Sequence, residues 1–225
     1  MEYSYYPGCS LTGSAKRLDM ATRKILLTLG YTIKEIPEWN CCGAVEYGNK
    51  EELIRLSREN LKKAEAVSKT IIAPCPACYR NLKESNRDGD FNIYNPLDMF
   101  NVADINKLEI KKDLKKMVFT PYYGCVLLRP KETAIKNRNI IEEIITNFGG
   151  EIDGEKIRDR CCGGNLFFSN KEMTEKCVNL IASRSKGIFV VYCPLCHMAL
   201  NTFSNRKVVY ITDIILYMLG ERKNI

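Results

Sequence analysis

The side chains with chemistry to offer in this sequence are thiols. Eleven cysteines occur in 225 residues, against a single histidine. Ten of the eleven fall into a pattern that is written twice. The first half reads "YYPGCSL" (5 to 11), "NCCGAVEYGNKEEL" (40 to 53) and "IIAPCPACYRNL" (71 to 82). The second reads "YYGCVLL" (122 to 128), "RCCGGNLFFSNKEM" (160 to 173) and "FVVYCPLCHMAL" (189 to 200). Each half therefore runs single Cys, Cys-Cys-Gly, Cys-Pro-x-Cys. The pieces are offset by 116, 120 and 118 residues (9 to 125, 41 to 161, 75 to 193), the mark of an internal duplication.

Neighbouring cysteines do not bridge each other comfortably, because the small ring they would close strains the peptide between them. In a reducing compartment such a density of thiols points instead to metal ligation or redox chemistry. Cys-Pro-x-Cys alone fits half a zinc ribbon, a redox dithiol or half an iron–sulfur site. A thioredoxin-like dithiol has no use for three further cysteines per copy. Four thiolates already complete tetrahedral zinc or a cubane cluster. Five, two of them adjacent, suggest a larger or less regular centre.

Positioning these thiols requires strands and helices in alternation. Residues 13 to 29 carry Leu18, Ala21, Ile25 and Leu29 on one helical face, with Gly30 as the stop. "YTIKEI" (31 to 36) reads as a strand leading to Cys41. Asn49 caps a helix with Leu53, Leu56, Ala64 and Val67 as its apolar stripe. "TIIAP" is a short buried strand ending at Cys75, after which Pro76 opens a helix. The second copy repeats the order. "KMVFTPYYG" precedes Cys125, a long helix is expected over 131 to 147, another from Asn170, and "GIFVVY" delivers Cys193. The fold class is α/β: two tandem, pseudo-symmetric modules packed as one unit, 1–110 with a linker over about 90 to 115, and 111–225.

Composition bounds the rest. Hydrophobic residues at 45% and charged residues at 27% describe an ordinary globular chain. The first ten residues have no basic and no apolar region of a signal peptide, and the apolar run 208 to 219 is too short to span a bilayer and contains Asp213. The expectation is a cytoplasmic protein without a direct membrane span. The net charge of +7 fits a lysine-rich surface or the attraction of an anionic ligand. Scattered lysines with no aromatic interleaving do not describe a nucleic-acid interface.

The doubled arrangement, with "YYPGCS", "WNCCGA", "APCPACY" and "YCPLCH" as its signature segments, resembles the CCG-domain (cysteine-rich domain) family over essentially the whole chain. Within it the chain is similar to the HdrB component of heterodisulfide reductase and to bacterial HdrB-like relatives. The resemblance implies two non-cubane 4Fe-4S clusters, one on Cys9, Cys41, Cys42, Cys75 and Cys78, the other on Cys125, Cys161, Cys162, Cys193 and Cys196. Some relatives imply the alternative of one cluster plus one zinc ion. The implied activity is reduction of a small anionic disulfide, such as CoM-S-S-CoB of methanogenesis, between the clusters, in an anaerobe. The implied partners are an HdrC-like ferredoxin-type subunit and an HdrA-like flavoprotein, because this chain has no ferredoxin cysteine run and no dinucleotide-binding glycine loop. An electron-transfer subunit serving a quinone or a partner dehydrogenase is the second implied role.

Four basic residues near the ligand cysteines, Lys16, Arg17, Arg80 and Arg129, are placed to meet an anion or simply to be surface charges. His197, directly after Cys196, has the pKa range of a proton donor to a product thiolate. Its other reading is a hydrogen-bonding neighbour that tunes the centre. Cys177, without a counterpart in the first copy, reads as a buried structural thiol. Trp39 and Arg160 are read as packing or shielding residues. The glycines beside the cysteines are expected to let backbone approach a bulky centre.

Overall fold

The computed structural model of the chain describes residues 2–44 and 49–225. The stretch 45–48, inside the first Cys-Cys-Gly segment, lies outside the described residues. Two compact units emerge. The first takes the residues up to Met99 together with Arg129–Lys136, and the second takes Phe100–Leu128 and Asn137–Ile225.

In the first unit the strands are β1 (Glu2–Tyr5), β2 (Thr32–Glu35), β3 (Thr70–Ile72) and β4 (Asn92–Tyr94), in the spatial order β2-β1-β3-β4. All three pairings are parallel, with Tyr5 opposite Glu35 and Ile72, and Ile72 opposite Tyr94. In the second unit β5 (Val118–Pro121), β6 (Glu151–Ile152), β7 (Ile188–Val191) and β8 (Val208–Tyr210) take the order β6-β5-β7-β8, again all parallel. The two sheets share one topology, so the duplication read in the cysteines extends to the whole scaffold.

Parallel strands must be joined by crossovers and are covered on both faces, which is why the inner ones read as unbroken apolar runs. Ile71, Ile72, Val190 and Val191 have no exposed surface, whereas edge strand β2 is mostly exposed. The crossovers of the first unit are α1 (Gly8–Thr12), α2 (Lys16–Thr28), α3 (Lys50–Ala64) and α4 (Pro76–Ser85). Those of the second follow α5 (Val102–Asn106) and are α6 (Ile140–Asn147), α7 (Lys171–Ala182) and α8 (Pro194–Phe203), with α9 (Ile211–Met218) closing the chain.

Local signals set several boundaries. α2 ends in a Schellman motif: Gly30 has φ +86°, its N–H bonds Leu27 O at 3.0 Å, and Tyr31 N bonds Leu26 O at 2.9 Å. Asn49 and Glu52 form a reciprocal capping box on α3, and the Asn170 side chain accepts from Met173 N on α7.

Several expectations are corrected. The helix read over 13 to 29 begins at Lys16, with the separate short α1 before it. The long helix read over 131 to 147 is present only as Ile140–Asn147. Asn137 turns back on the chain by accepting from Asn139 N at 2.9 Å, ahead of the helix that starts at Ile140. Residues 129–136 instead pack in the first unit, where Lys136 N donates to Asp98 Oδ1 at 2.7 Å and Thr133, Ala134 and Ile135 are buried. α3 stops at Ala64, so Val67 falls beyond it. Its buried face holds Ser57 and Asn60 beside Leu61 and Ala64. The linker read over 90 to 115 contains β4 and α5, and the apolar run 208 to 219 is β8 followed by α9.

Sheet closure in the second unit depends on a close approach. A Cβ at Gly187 would lie 2.6 Å from the backbone carbon of Phe119 on the neighbouring strand. Gly187→Ala is expected to push β5 and β7 apart and to cost about 1–3 kcal/mol, the range for overpacking. A drop in Tm in thermal unfolding checks this.

Candidate metal-thiolate sites

Both sets of five thiols lie just beyond the C-terminal ends of parallel strands, the edge where such sheets bind ligands. Cys9 follows β1 through a tight turn, Cys41 and Cys42 follow β2, and Cys75 follows β3. Cys125, Cys161–Cys162 and Cys193 stand after β5, β6 and β7 in the same way. Cys75 is the N-cap residue of α4 and Cys193 that of α8, each with proline at the next position. The helix then returns Cys78 and Cys196 one turn on, on the same side. This is local geometry that the Cys-Pro-x-Cys spelling alone dictates.

Within the first set Cys42 Sγ lies 3.1 Å from Cys78 Sγ, and Cys41 Sγ lies 4.0 Å from Cys9 Sγ. In the second, Cys162 Sγ and Cys196 Sγ are 3.5 Å apart. Cys42, Cys75, Cys78, Cys162, Cys193 and Cys196 are buried, while Cys9 and Cys161 are exposed. Each constellation is thus a buried pocket of thiols with one member at the surface.

Electrostatics repeats one division in both sets: Cys42 and Cys162 are lowered, Cys78 and Cys196 raised. Cys42 is lowered to about 4, chiefly because Cys41 and then Cys78 donate to it. Cys41 and Cys78 are raised, each first by its hydrogen bond to Cys42. Cys75 is lowered, first by Cys78. Cys162 is lowered by Cys196, and Cys196 is raised, first by Cys162 and then by Cys193. Cys125 is raised, first by its hydrogen bond to Cys161 and then by burial. Thiols this close cannot all ionise unless positive charge stands among them, because each new thiolate repels the last. Backbone amides supply part of it: Gly43 N meets Cys41 Sγ at 3.4 Å, Gly163 N meets Cys161 Sγ at 3.4 Å, and Gly164 N meets Cys162 Sγ at 3.3 Å.

Two glycines leave the room such a centre requires. Gly8 and Gly124 have φ of +71° and +70°, and a Cβ on either would fall 2.8 Å from Cys78 Sγ or Cys196 Sγ. Among the described residues no three His, Cys, Asp or Glu side chains close round one point as a single-ion site does. Within the first set the thiols form a connected chain, Cys41 to Cys42 to Cys78 to Cys75, and a gathering of thiols of this kind suits metal ligation.

A further layer, invisible in the cysteine pattern, holds the loops. Asn60, buried on α3, accepts from Asn40 N at 2.8 Å and donates to Asn40 O at 2.9 Å. Tyr6 donates to the same carbonyl at 2.6 Å. Ser57 and Asn81 donate to Cys42 O at 3.1 and 2.9 Å. In the second unit Tyr122 donates to Arg160 O at 2.5 Å, and Thr174 to Gly163 O at 2.9 Å. Burial first, and the thiols around them second, keep the Tyr6 and Tyr122 hydroxyls protonated and able to donate. A tyrosine three residues before each single cysteine, and polar residues on the apolar stripe of α3, are the signals that could have found this layer.

The remaining expectations resolve residue by residue. His197 is half-buried, and its ring stacks on Tyr210 at 4.4 Å. The matching Tyr79 donates to Asp98 Oδ2 at 3.2 Å and accepts from Lys83 Nζ at 2.9 Å. Cys177 is half-buried rather than buried, its Cβ 3.5 Å from where a Cβ of Gly163 would stand. Its thiol is raised by burial first and by Cys161 and Cys162 next, so it neighbours the second set. α7 carries it one position before the buried Val178, on the flank of the packed face. Trp39 packs edge-on against Tyr6 at 5.6 Å and donates to Glu35. Arg80 is paired with Glu84 at 2.6 Å on its own helix.

Two parallel-sheet modules, each with five thiols at its ligand-binding edge, define a duplicated cysteine-rich domain. The chain belongs to that family: the cysteine-rich domain (CCG) matches residues 3–83 and 119–201. It is 25% identical over 235 aligned positions, covering 90% of this chain and 82% of the relative, to the 8-methylmenaquinol:fumarate reductase membrane anchor subunit of Wolinella succinogenes. Two solved structures align along its length: an aspartate racemase homologue from Pyrococcus horikoshii (14% identity, TM-score 0.36, 98% of both chains) and the glutamate racemase of Aquifex pyrophilus (14%, 0.36, 98% of this chain and 83% of that one). No helix among the described residues is long and apolar enough to cross a membrane.

Two substitutions test the construction. Gly8→Ala, which sets a methyl against Cys78 Sγ, is expected to lower the metal content of the first module while the second stays loaded, read by elemental analysis. Asn60→Ala leaves the Asn40 N–H without its acceptor, while the Asn40 carbonyl keeps Tyr6, and is expected to cost about 1–3 kcal/mol, the penalty for an unpaired buried polar group. Denaturant unfolding measures it.

Proposed function

We propose that the chain is the iron–sulfur subunit of a multi-subunit oxidoreductase, with each module holding one polynuclear centre on its five cysteines. The observation that carries this reading is the repeated thiol constellation: buried pairs, amides aimed at sulfur, and one exposed member per set. The ligands of one centre are Cys9, Cys41, Cys42, Cys75 and Cys78. Those of the other are Cys125, Cys161, Cys162, Cys193 and Cys196. An iron–sulfur centre held there supplies one-electron redox chemistry.

The residues of the chain prepare that chemistry. The amides of Gly43, Gly163 and Gly164 favour the thiolate form of their cysteines and so raise their strength as ligands. Tyr6, Ser57, Asn60 and Asn81 hold the first Cys-Cys loop through its carbonyls, as Tyr122 and Thr174 hold the second, so these side chains fix the loops without bonding the sulfurs. Burial of the inner thiols excludes water from most of each site. Cys9 and Cys161 mark the side at which a partner or substrate approaches.

The similarity to a subunit of a methylmenaquinol:fumarate reductase supports the reading in which electrons pass between a quinol-linked complex and this chain. Reduction of a small anionic disulfide, with HdrC-like and HdrA-like partners, is a second reading. It is favoured by the presence of two equivalent donor sets, because cleavage of a disulfide takes two electrons and leaves two thiolates. His197 would then supply a proton to one product. A module with zinc in one of its two sites is the remaining variant.

Metal analysis and EPR of the anaerobically purified chain decide among them. Two clusters correspond to ~8 irons and no zinc, and one cluster with one zinc to ~4 irons. Cys41→Ala and Cys161→Ala are each expected to remove about half the iron, a loss confined to one module. Full iron in both variants would sink the ligand assignment. Disulfide turnover with reduced viologen, set beside reduction by a menaquinol analogue, separates the two acceptor readings.

A further inference from the structure

The fourth strand of the first unit leads into a polar network aimed at two of the thiols. Asn95, directly after β4, has no exposed surface, and its side-chain amide donates to two consecutive carbonyls, Ala73 O at 3.2 Å and Pro74 O at 3.1 Å. These carbonyls belong to the two peptides that lead into Cys75. The side-chain oxygen of Asn95 accepts from Leu97 N at 3.1 Å, so the amide is fixed in orientation as well as in place. The backbone N–H of Asn95 donates to Asp98 Oδ2 at 3.1 Å, and the same oxygen accepts from the Tyr79 hydroxyl at 3.2 Å. Tyr79 is buried, directly follows Cys78, and donates its own N–H to Cys75 O at 2.8 Å.

One network therefore grips the Cys75–Cys78 pair at both ends: at the peptides entering Cys75 and at the residue leaving Cys78. The need for it follows from the sequence. β3 stops at Ile72, and Pro74 has no N–H with which to extend the ladder, so side-chain bonds take over where strand bonds end. Asn95 and Asp98 lie outside both stretches matched by the cysteine-rich domain. The second unit builds the same place differently. Tyr210, opposite Val191 two residues before Cys193, stands where Asn95 stands, and its N–H donates to Asp213 Oδ2 at 3.0 Å. Its ring stacks at 4.4 Å on His197, the counterpart of Tyr79. The two units share the position of the clamp but not its chemistry.

We infer that Asn95, Asp98 and Tyr79 are positioning residues for the first metal centre, holding Cys75 and Cys78 at the spacing that the centre takes. The inference rests on the proposed ligand set. A thiolate carried on a loose peptide must be ordered each time it binds metal, whereas one whose peptides are fixed by buried hydrogen bonds is ordered in advance. Partners of this kind around a ligand typically contribute about 10–100-fold in metal affinity.

The test follows loss of iron to a chelator from the anaerobically loaded chain in a Cys161→Ala background, where the second module is empty. Asn95→Ala is expected to speed release about tenfold or more, and Tyr79→Phe, which keeps the ring, a few-fold. Ser4→Ala is the control for stability: it removes hydrogen bonds to Ala64 and Ser68, where the chain enters β3, and is expected to release iron at the unmodified rate. The EPR signal of the first centre is expected to change shape in Asn95→Ala and to keep its shape in Ser4→Ala. In a Cys41→Ala background, which leaves the second centre, Asn95→Ala is expected to change nothing. Release from Asn95→Ala no faster than from Ser4→Ala overturns the proposal, and so does equal acceleration from both centres. If Asn95→Ala does not fold, Tyr79→Phe decides alone, and an unmodified rate overturns the proposal. If the chain takes up no iron, the proposed function itself falls. Co²⁺ titrated into the metal-free chain then judges the clamp separately through its thiolate charge-transfer absorption. Binding about tenfold weaker in Asn95→Ala is expected, and unchanged binding is against it.

Discussion

Everything in this chain is arranged around sulfur atoms that repel one another once ionised. Cys42 and Cys78 are 3.1 Å apart and buried, and Cys162 and Cys196 repeat the pair at 3.5 Å. In so dry a place two thiolates at that distance are untenable without a compensating positive charge. The protein alone shares protons along each set, with Cys42 and Cys162 lowered and their donors Cys78 and Cys196 raised. A metal centre held there would remove the conflict by taking the place of those protons. Thiols crowded in this way are awkward for the bare chain and suited to metal ligation.

The scaffold meets this demand with economical means. A parallel sheet brings the ends of β1, β2 and β3, and of β5, β6 and β7, to one edge, so loops far apart in sequence deliver their cysteines to one place. Proline after Cys75 and Cys193 fixes the helix start and so the spacing to Cys78 and Cys196. Glycine at 8 and 124 keeps the returning backbone clear of sulfur. Hydrogen bonds to the carbonyls of residues 40, 42, 160 and 163 then hold the loops through their peptides, which spends no side chain that could compete for metal.

Much of this is legible in the chain because it is local. Asn49, Asn170, Gly30 and the two proline-led helices are signals confined to a few residues, and the ten cysteines announce themselves by repetition. Strands β4, β6 and β8 were not legible. Two or three residues carry no periodicity, and "FNIYNPLDMF" is rich in turn formers. The excess helix over 131 to 139 runs past two asparagines, Asn137 and Asn139, of a type that prefers to bond its own backbone. Ser57 and Asn60 escaped notice for a different reason. On a helical face they interrupt an apolar stripe, and only the position of the Cys41–Cys42 loop opposite them turns that interruption into a function.

The segment Arg129–Lys136 follows Cys125 in the second half of the duplication yet packs in the first unit, against Tyr79 and Asp98. This loan makes the doubling hard to reverse. Recombination that excised either half would leave one unit missing part of its packing and the other trailing an unsupported strand of chain. The two copies have thereby become a single heritable unit, free to drift apart in residues such as Tyr79 and His197 while remaining bound to each other's presence.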